Sequence, residues 1–209
     1  MRWIACLGAV TAEALAAHGG VTVASARGRL RAGEGARLLR SRRPLLGQPA
    51  LYTVTPAGLR AAGLSDLDPC RVSASNALHL ITCAGVAVAL ERSYPDQRVQ
   101  GERELRREER RREVPLASAR LPGGPDGAGT LHRPDLVLWP REQDVPTPVA
   151  PQPVAVEVEL TVKAPRRLAD ICRAWARARC VAGVIYLAAP EVQGALERAI
   201  ERADAVERV

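Results

Sequence analysis

A chain of 209 residues, a quarter of them charged and with a formal net charge of +7, holds one large domain or two small ones and needs no disulfide staples. The charge is uneven: residues 1–70 carry nine Arg against four acids, whereas residues 114–209 carry twelve basic against twelve acidic groups. A basic head on a neutral body points the head at a polyanion, with nucleic acid the usual one. Five Cys (6, 70, 83, 172 and 180) form an odd set without a CxxC pair. Cys172 and Cys180 sit on one predicted helix about 12 Å apart by helical rise, too far to bridge. The set is expected to be small core residues in a reducing compartment, which places the chain in the cytoplasm. Met1-Arg2 followed by an apolar run imitates an export signal, but the run is short and is followed by a pattern suited to binding DNA. No stretch approaches the roughly 18 apolar residues of a membrane span, so no membrane contact is expected.

In chain order, Thr11 opens a short helix to His18 that Gly19-Gly20 stops. The segment before residue 11 is short for a complete first helix. Thr22 caps a second helix to about Gly33, with Val23, Ala26 and Leu30 as its buried stripe. Ala24, Ser25, Gly28 and Arg29 lie opposite, with Arg27 and Arg31 on the flanks. Helix, glycine turn and helix with a small, Arg-bearing face is the helix-turn-helix pattern. A strand over 37–43, a turn at 45–49 and a returning strand at 51–54 then predict a hairpin, or wing, carrying Arg40, Arg42 and Arg43. Thr55-Pro56 opens a helix through Ala62. Residues 1–66 are thus expected to form a winged helix-turn-helix domain.

A linker at 64–74 leads to a second domain, 75–209. Its expected elements are a helix from Ser75 to Arg92 ending near Glu91, a strand over 98–106 holding Glu102 and Glu104, and an Arg/Glu run to 113. A Gly/Pro-rich loop at 114–132 precedes a strand over 133–139, and a Pro-punctuated loop at 140–153 precedes a strand over 154–163. Pro165 opens a helix to about Cys180 with Leu168, Ile171, Cys172 and Trp175 inward. Gly183–Ala189 is expected to be a buried strand, and Glu191–Ala205 the last helix. Two late strands joined through a helix should be parallel neighbours with a right-handed crossover.

Residues 154–163 carry the chemistry. Val154, Val156, Val158, Leu160 and Val162 fall on one face, and Glu157, Glu159, Thr161 and Lys163 on the other. Two carboxylates roughly 6–7 Å apart along one face repel unless a cation sits between them or water screens them. Pro134-Asp135 leads the preceding strand. Acids on neighbouring strands make a minimal oxygen set for Mg²⁺ or Mn²⁺; the alternative is a pair of acids bridged to Arg133 or Arg103. Lys163, the one Lys among 29 Arg, lies roughly 13 Å beyond Glu159 along an extended strand, farther than its stem reaches. It precedes a helix start, where a phosphate contact by Lys163, Arg166 or Arg167 suits it better than catalysis. His18, His79 and His132 show no ligand spacing, and Trp139 and Trp175 are expected to fill the core.

This element order, with Pro134-Asp135 on the second strand and Glu157-Val158-Glu159 on the third, resembles the PD-(D/E)XK nuclease core over about residues 75–190. The chain as a whole resembles the replication-relaxation family of bacterial plasmid and mobile-element proteins. The segments that carry this likeness are 43–58 (ArgProLeuLeuGlyGlnProAlaLeuTyrThrValThrProAlaGly), 102–106 (GluArgGluLeuArg), 133–137 (ArgProAspLeuVal) and 154–161 (ValAlaValGluValGluLeuThr).

The resemblance implies an α/β (α+β) chain, a winged helix followed by a restriction-endonuclease-like αβββαβ core. Asp135 and Glu157 would be the metal-binding acids, joined by Glu91, Glu102 or Glu104, and Glu159 would stand where the nuclease pattern places Lys. A carboxylate there binds a second metal or activates water but does not stabilise an anion. Function is expected to be that of a plasmid or mobile-element replication/relaxation protein that binds double-stranded DNA, with a catalytically weak or inactive nuclease-like domain. The alternatives are a Mg²⁺-dependent DNA endonuclease using Asp135, Glu157 and Glu159, and a winged-helix transcriptional regulator. Partners implied are DNA, a second copy of the chain, or replication and mobilisation proteins. Ser25 and Arg29 would approach bases, while Arg27, Arg31, Arg40, Arg42 and Arg43 contact phosphates.

Overall fold

The computed structural model describes residues 1–122, 130–141 and 151–206; the stretches 123–129 and 142–150 of the two expected loops lie outside the described residues. The chain is mixed α/β and divides into two units, Met1–Pro95 and Asp96–Val209.

The first unit runs α1 (Arg2–Leu7), β1 (Ala9–Val10), α2 (Ala12–His18), α3 (Val23–Gly35), β2 (Leu39–Arg42), β3 (Leu51–Val54), α4 (Pro56–Ala61) and α5 (Ala74–Ser93). Three threonines fix helix starts by accepting an orphan amide. Thr11 takes Ala14 N–H at 3.1 Å, Thr22 takes Ser25 N–H at 3.2 Å, and Thr55 takes Gly58 N–H at 3.1 Å. The strands pair antiparallel in the order β1-β3-β2, with Ala9 opposite Thr53 and Leu39 opposite Val54. The sequence pattern did not reveal β1, because two residues are too few to show a period. Gly8, at φ 99°, ends α1 and turns the chain into it.

Ile4, Val10, Leu30, Leu59 and Leu64 close the core of this unit. Two glycines permit its tightest approach: a Cβ on Gly58 would lie 2.2 Å from the Leu38 carbonyl oxygen, and one on Gly33 would lie 2.6 Å from Leu39 Cδ1.

Helix α5 belongs to the first unit rather than heading the second. It buries Ala84 and Val88 in the core around Ile4 and Leu30, and Ala77 beside Ala9 and Leu51. The boundary therefore falls at 95/96 instead of in a linker at 64–74, where Leu64 and Leu67 are themselves buried. By length and composition α5 is also apolar enough to cross a membrane, which the expectation from sequence missed. Ser, Asn, His and Thr interrupt its apolar residues, but no charge falls between Ala74 and Leu90.

The second unit runs β4 (Arg98–Gly101), α6 (Glu102–Arg112), β5 (Ala119–Arg120), β6 (Leu131–His132), β7 (Leu136–Trp139), β8 (Val154–Glu159), α7 (Pro165–Arg177), β9 (Gly183–Ala188) and α8 (Pro190–Ala203). Its main sheet has the order β4-β7-β8-β9. The first two pairings are antiparallel and β8-β9 is parallel, with α7 as the connection. Three expectations change. The strand expected over 98–106 stops at Gly101, so Glu102 and Glu104 lie in the first turn of a helix. Acids at its start and Arg110–Arg112 at its end complement the helix dipole. Strand β8 stops at Glu159 rather than Lys163. Strand β9, expected to be buried, is the sheet edge and leaves Ile185 and Leu187 exposed.

Candidate functional site

Antiparallel pairing of β7 with β8 places Leu136 opposite Val156, so Asp135 arrives beside Glu157. Asp135 Oδ2 accepts the Val158 backbone N–H at 2.8 Å, and its carbonyl oxygen accepts Glu102 N–H at 2.9 Å. Glu157 and Glu159 project from β8 but are only 5% exposed each, so the polar face of the strand is as covered as the apolar one. Glu157 Oε1 bonds His132 Nε2 at 2.7 Å and accepts Trp175 Nε1–H at 3.0 Å. Across the β8-β9 ladder Glu157 faces Tyr186. Burial pushes the Glu157 carboxyl above the ordinary carboxylate range. The His132 bond and charge pull it back, the Asp135 charge raises it further and Lys163 lowers it. Burial likewise raises the Tyr186 phenol, reinforced by Glu157, and pushes the Cys172 thiol up to about 11.

Lys163 Nζ bonds Glu159 Oε2. An extended strand would have kept them apart. Because β8 ends at Glu159 and the chain turns, Lys163 folds back and neutralises the carboxylate at the departed motif position.

The other acids named from sequence are distributed elsewhere. Glu91 is in the first unit, where Oε1 accepts Trp3 Nε1–H at 2.9 Å and Oε2 bonds His18 Nδ1 at 2.7 Å. Glu102 starts α6 next to Asp135 but pairs with Arg106 one turn on. Glu104 is half-buried on the same helix. Among the described residues, Asp135 and Glu157 do not gather with Glu102 or Glu104 into three ligand atoms within 4.8 Å. A hard divalent cation takes about six oxygens. Here one Asp135 oxygen, one Glu157 oxygen and one Glu159 oxygen already hold a hydrogen bond or an ion pair, and burial disfavours charge on Glu157. The set does not fit Mg²⁺ or Mn²⁺ as it stands.

A second buried carboxylate, Glu109, was hidden in the Arg/Glu run. Its Oε1 accepts Leu116 N–H at 3.0 Å and Ser118 Oγ–H at 2.5 Å, and its Oε2 accepts Arg133 Nε–H at 2.8 Å. Arg133 is thus held by Glu109. Helical spacing offered a signal, since Glu109 follows the buried Leu105 by four residues and shares its face. For His132 there was none: its partner lies 25 residues away in a different sheet, and only the tertiary fold brings them together.

In the first unit Ala26 and Leu30 are fully buried, so Ser25, Arg29 and Arg31 of α3 are exposed. Arg40, Arg42 and Arg43 are exposed along β2 and just beyond it. Glu34 joins the two elements by accepting Ser41 N–H at 3.0 Å and Ser41 Oγ–H at 2.6 Å. Arg27 is set apart because its Nη2 pairs with Glu13 Oε1 at 2.8 Å. Comparison with protein-family models, curated proteins and solved structures found no match.

Proposed function

We propose that the chain is a cytoplasmic DNA-binding protein whose first unit is a winged helix, with α3 as the groove-entering helix and the β2-β3 hairpin as the wing. The observation that carries this reading is connectivity joined to charge. Helix, strand, helix, helix and a hairpin pair in the order β1-β3-β2. The exposed side of that helix and hairpin carries Arg29, Arg31, Arg40, Arg42 and Arg43 without an ion-pair partner among the described residues. Glu34 joins the wing to α3 through Ser41. On this reading Ser25 and Arg29 approach base edges and the remaining arginines hold phosphates.

On the same proposal the second unit is a recognition or assembly domain, related to PD-(D/E)XK cores and weak or inactive in cleavage; what supports it is the sheet order β4-β7-β8-β9 with α7 joining the parallel β8 and β9. Replication or relaxation of a plasmid or mobile element is the setting this combination suits. The buried Glu157–His132–Trp175 arrangement and the Glu159–Lys163 pair support inactivity, because each spends an oxygen that a catalytic ion requires. The endonuclease reading rests on the adjacency of Asp135 and Glu157. Two measurements test the proposal. Full-length protein should shift a DNA duplex in a gel, and Arg29→Ala should weaken the shift. Plasmid incubated with the protein and Mg²⁺ or Mn²⁺ should stay supercoiled; nicking abolished by Asp135→Ala would establish the endonuclease instead.

A further inference from the structure

A small cleft of about 80 Å³ opens between the start of α7 and the outer face of α8 in the second unit. That is well below the roughly 300–1,000 Å³ of pockets for drug-sized ligands and leaves room for a small ion or group only. Leu168, Ala195 and Ala199 form its floor, and Lys163, Arg198 and Arg202 stand round it. Residues 195, 198, 199 and 202 recur at helical spacing, so α8 turns one continuous face toward the cleft. We propose that this cleft binds a phosphate group.

Three features argue for it over an ordinary solvated helix face. First, Arg198 and Arg202 are one turn apart, a like-charge arrangement that disfavours a helix unless an anion sits between them. Neither has an ion-pair partner among the described residues, although Glu197 and Glu201 lie on the same helix. Glu197 instead accepts Gln193 Nε2–H at 3.0 Å. Second, a third cation comes from another element: Lys163 is half-buried and held in place by the buried Glu159. Third, α7 begins at the cleft without a capping side chain, and Pro165 occupies its first turn. The Arg166 and Arg167 amides thus have no acceptor within the helix. Two unpaired guanidinium groups, an anchored ammonium and an uncapped helix start all match one compact, multiply charged anion. The apolar floor is too small for a large ligand's body, so the anion is the recognised part. It comes either from a nucleic-acid backbone or from a free phosphorylated compound.

The test follows backbone amide resonances of the full-length protein at constant ionic strength, with chloride exchanged for inorganic phosphate. Signals of residues 166–168 and 195–202 should shift saturably. The Arg198→Gln/Arg202→Gln variant should bind phosphate at least about tenfold more weakly, the factor that corresponds to losing one charge-assisted hydrogen bond. A short DNA duplex is the second probe. Shifts of the same signals identify backbone phosphate as the occupant; shifts with inorganic phosphate alone identify a free phosphorylated compound. If neither probe moves these signals, or if the double variant keeps the wild-type response, the cleft is not a phosphate site. The signals belong to the second unit, so this outcome is independent of whether the first unit binds DNA.

Discussion

Replacing Arg42 with Ala gives the sharpest test of the DNA-binding surface, because its effect is calculable from the arginines that the fold leaves unpaired. Arg29, Arg31, Arg40, Arg42 and Arg43 are exposed on α3 and the hairpin, while Arg27 is discounted because Glu13 already holds it. With Arg29 at base edges, four phosphate contacts at a slope of about −0.9 each give a log–log salt slope near −3.6, so affinity should fall about 150-fold between 50 and 200 mM salt. Arg42→Ala removes one contact; the slope should ease to about −2.7 and the loss to about 40-fold. Fluorescence anisotropy of a labelled duplex, titrated with full-length protein at several salt concentrations, reads both numbers. Circular dichroism of the variant checks that the fold persists, as expected for an exposed side chain. A slope near zero would refute the polyanion surface altogether. A wild-type slope in the Arg42 variant would remove the hairpin from the interface and leave α3 alone.

Three further outcomes follow from the buried groups. Glu157 has a folded-state pKa raised above the ordinary 4.5, so charging it opposes folding. Wild type should therefore gain stability relative to Glu157→Gln as pH falls through the raised value to 4.5, by about 1.4 kcal/mol per unit separating the folded and unfolded values. Urea denaturation from pH 8 to pH 4, repeated in a His132→Asn background, would show it; a pH-independent difference contradicts the burial argument. Glu109→Ala strands the Arg133 guanidinium and the Ser118 hydroxyl that it now binds. It should cost about 3–5 kcal/mol in the same assay, and a loss below about 1 kcal/mol would mean that water replaces the carboxylate. Gly58→Ala forces a Cβ to within 2.2 Å of a backbone oxygen and should lose about 1–3 kcal/mol. Unchanged thermal stability would mean that α4 shifts freely against the chain at Leu38.

Local chemistry made the helix starts readable in advance. Thr11, Thr22 and Thr55 each have a side-chain oxygen in place to take the amide three residues on, so the sequence predicted α2, α3 and α4. The stripe of Ala26 and Leu30 likewise told which side of α3 would be exposed. Short-range rules failed where pattern and length conflicted. Alternation in 154–163 suggested a ten-residue strand, but the strand has six residues and its end is set by the turn into α7. The Arg/Glu run gave no strand period, and its acids and bases sort themselves along a helix instead.

By itself, the sequence determined that α2, α3, α4, α5, α7 and α8 are helical and which arginines lie on the outside of α3 and β2. Each of these depends on residues within a turn or two of one another, where capping and periodicity act. Only tertiary structure decided the state of the acids. Glu157 is buried against His132 and Trp175, Glu159 is closed by Lys163, and α5 joins the first unit rather than the second. Those outcomes depend on sheet register and helix packing between distant segments. Burial then changes what a carboxylate can do, because removing water penalises its charge unless a partner is brought to it.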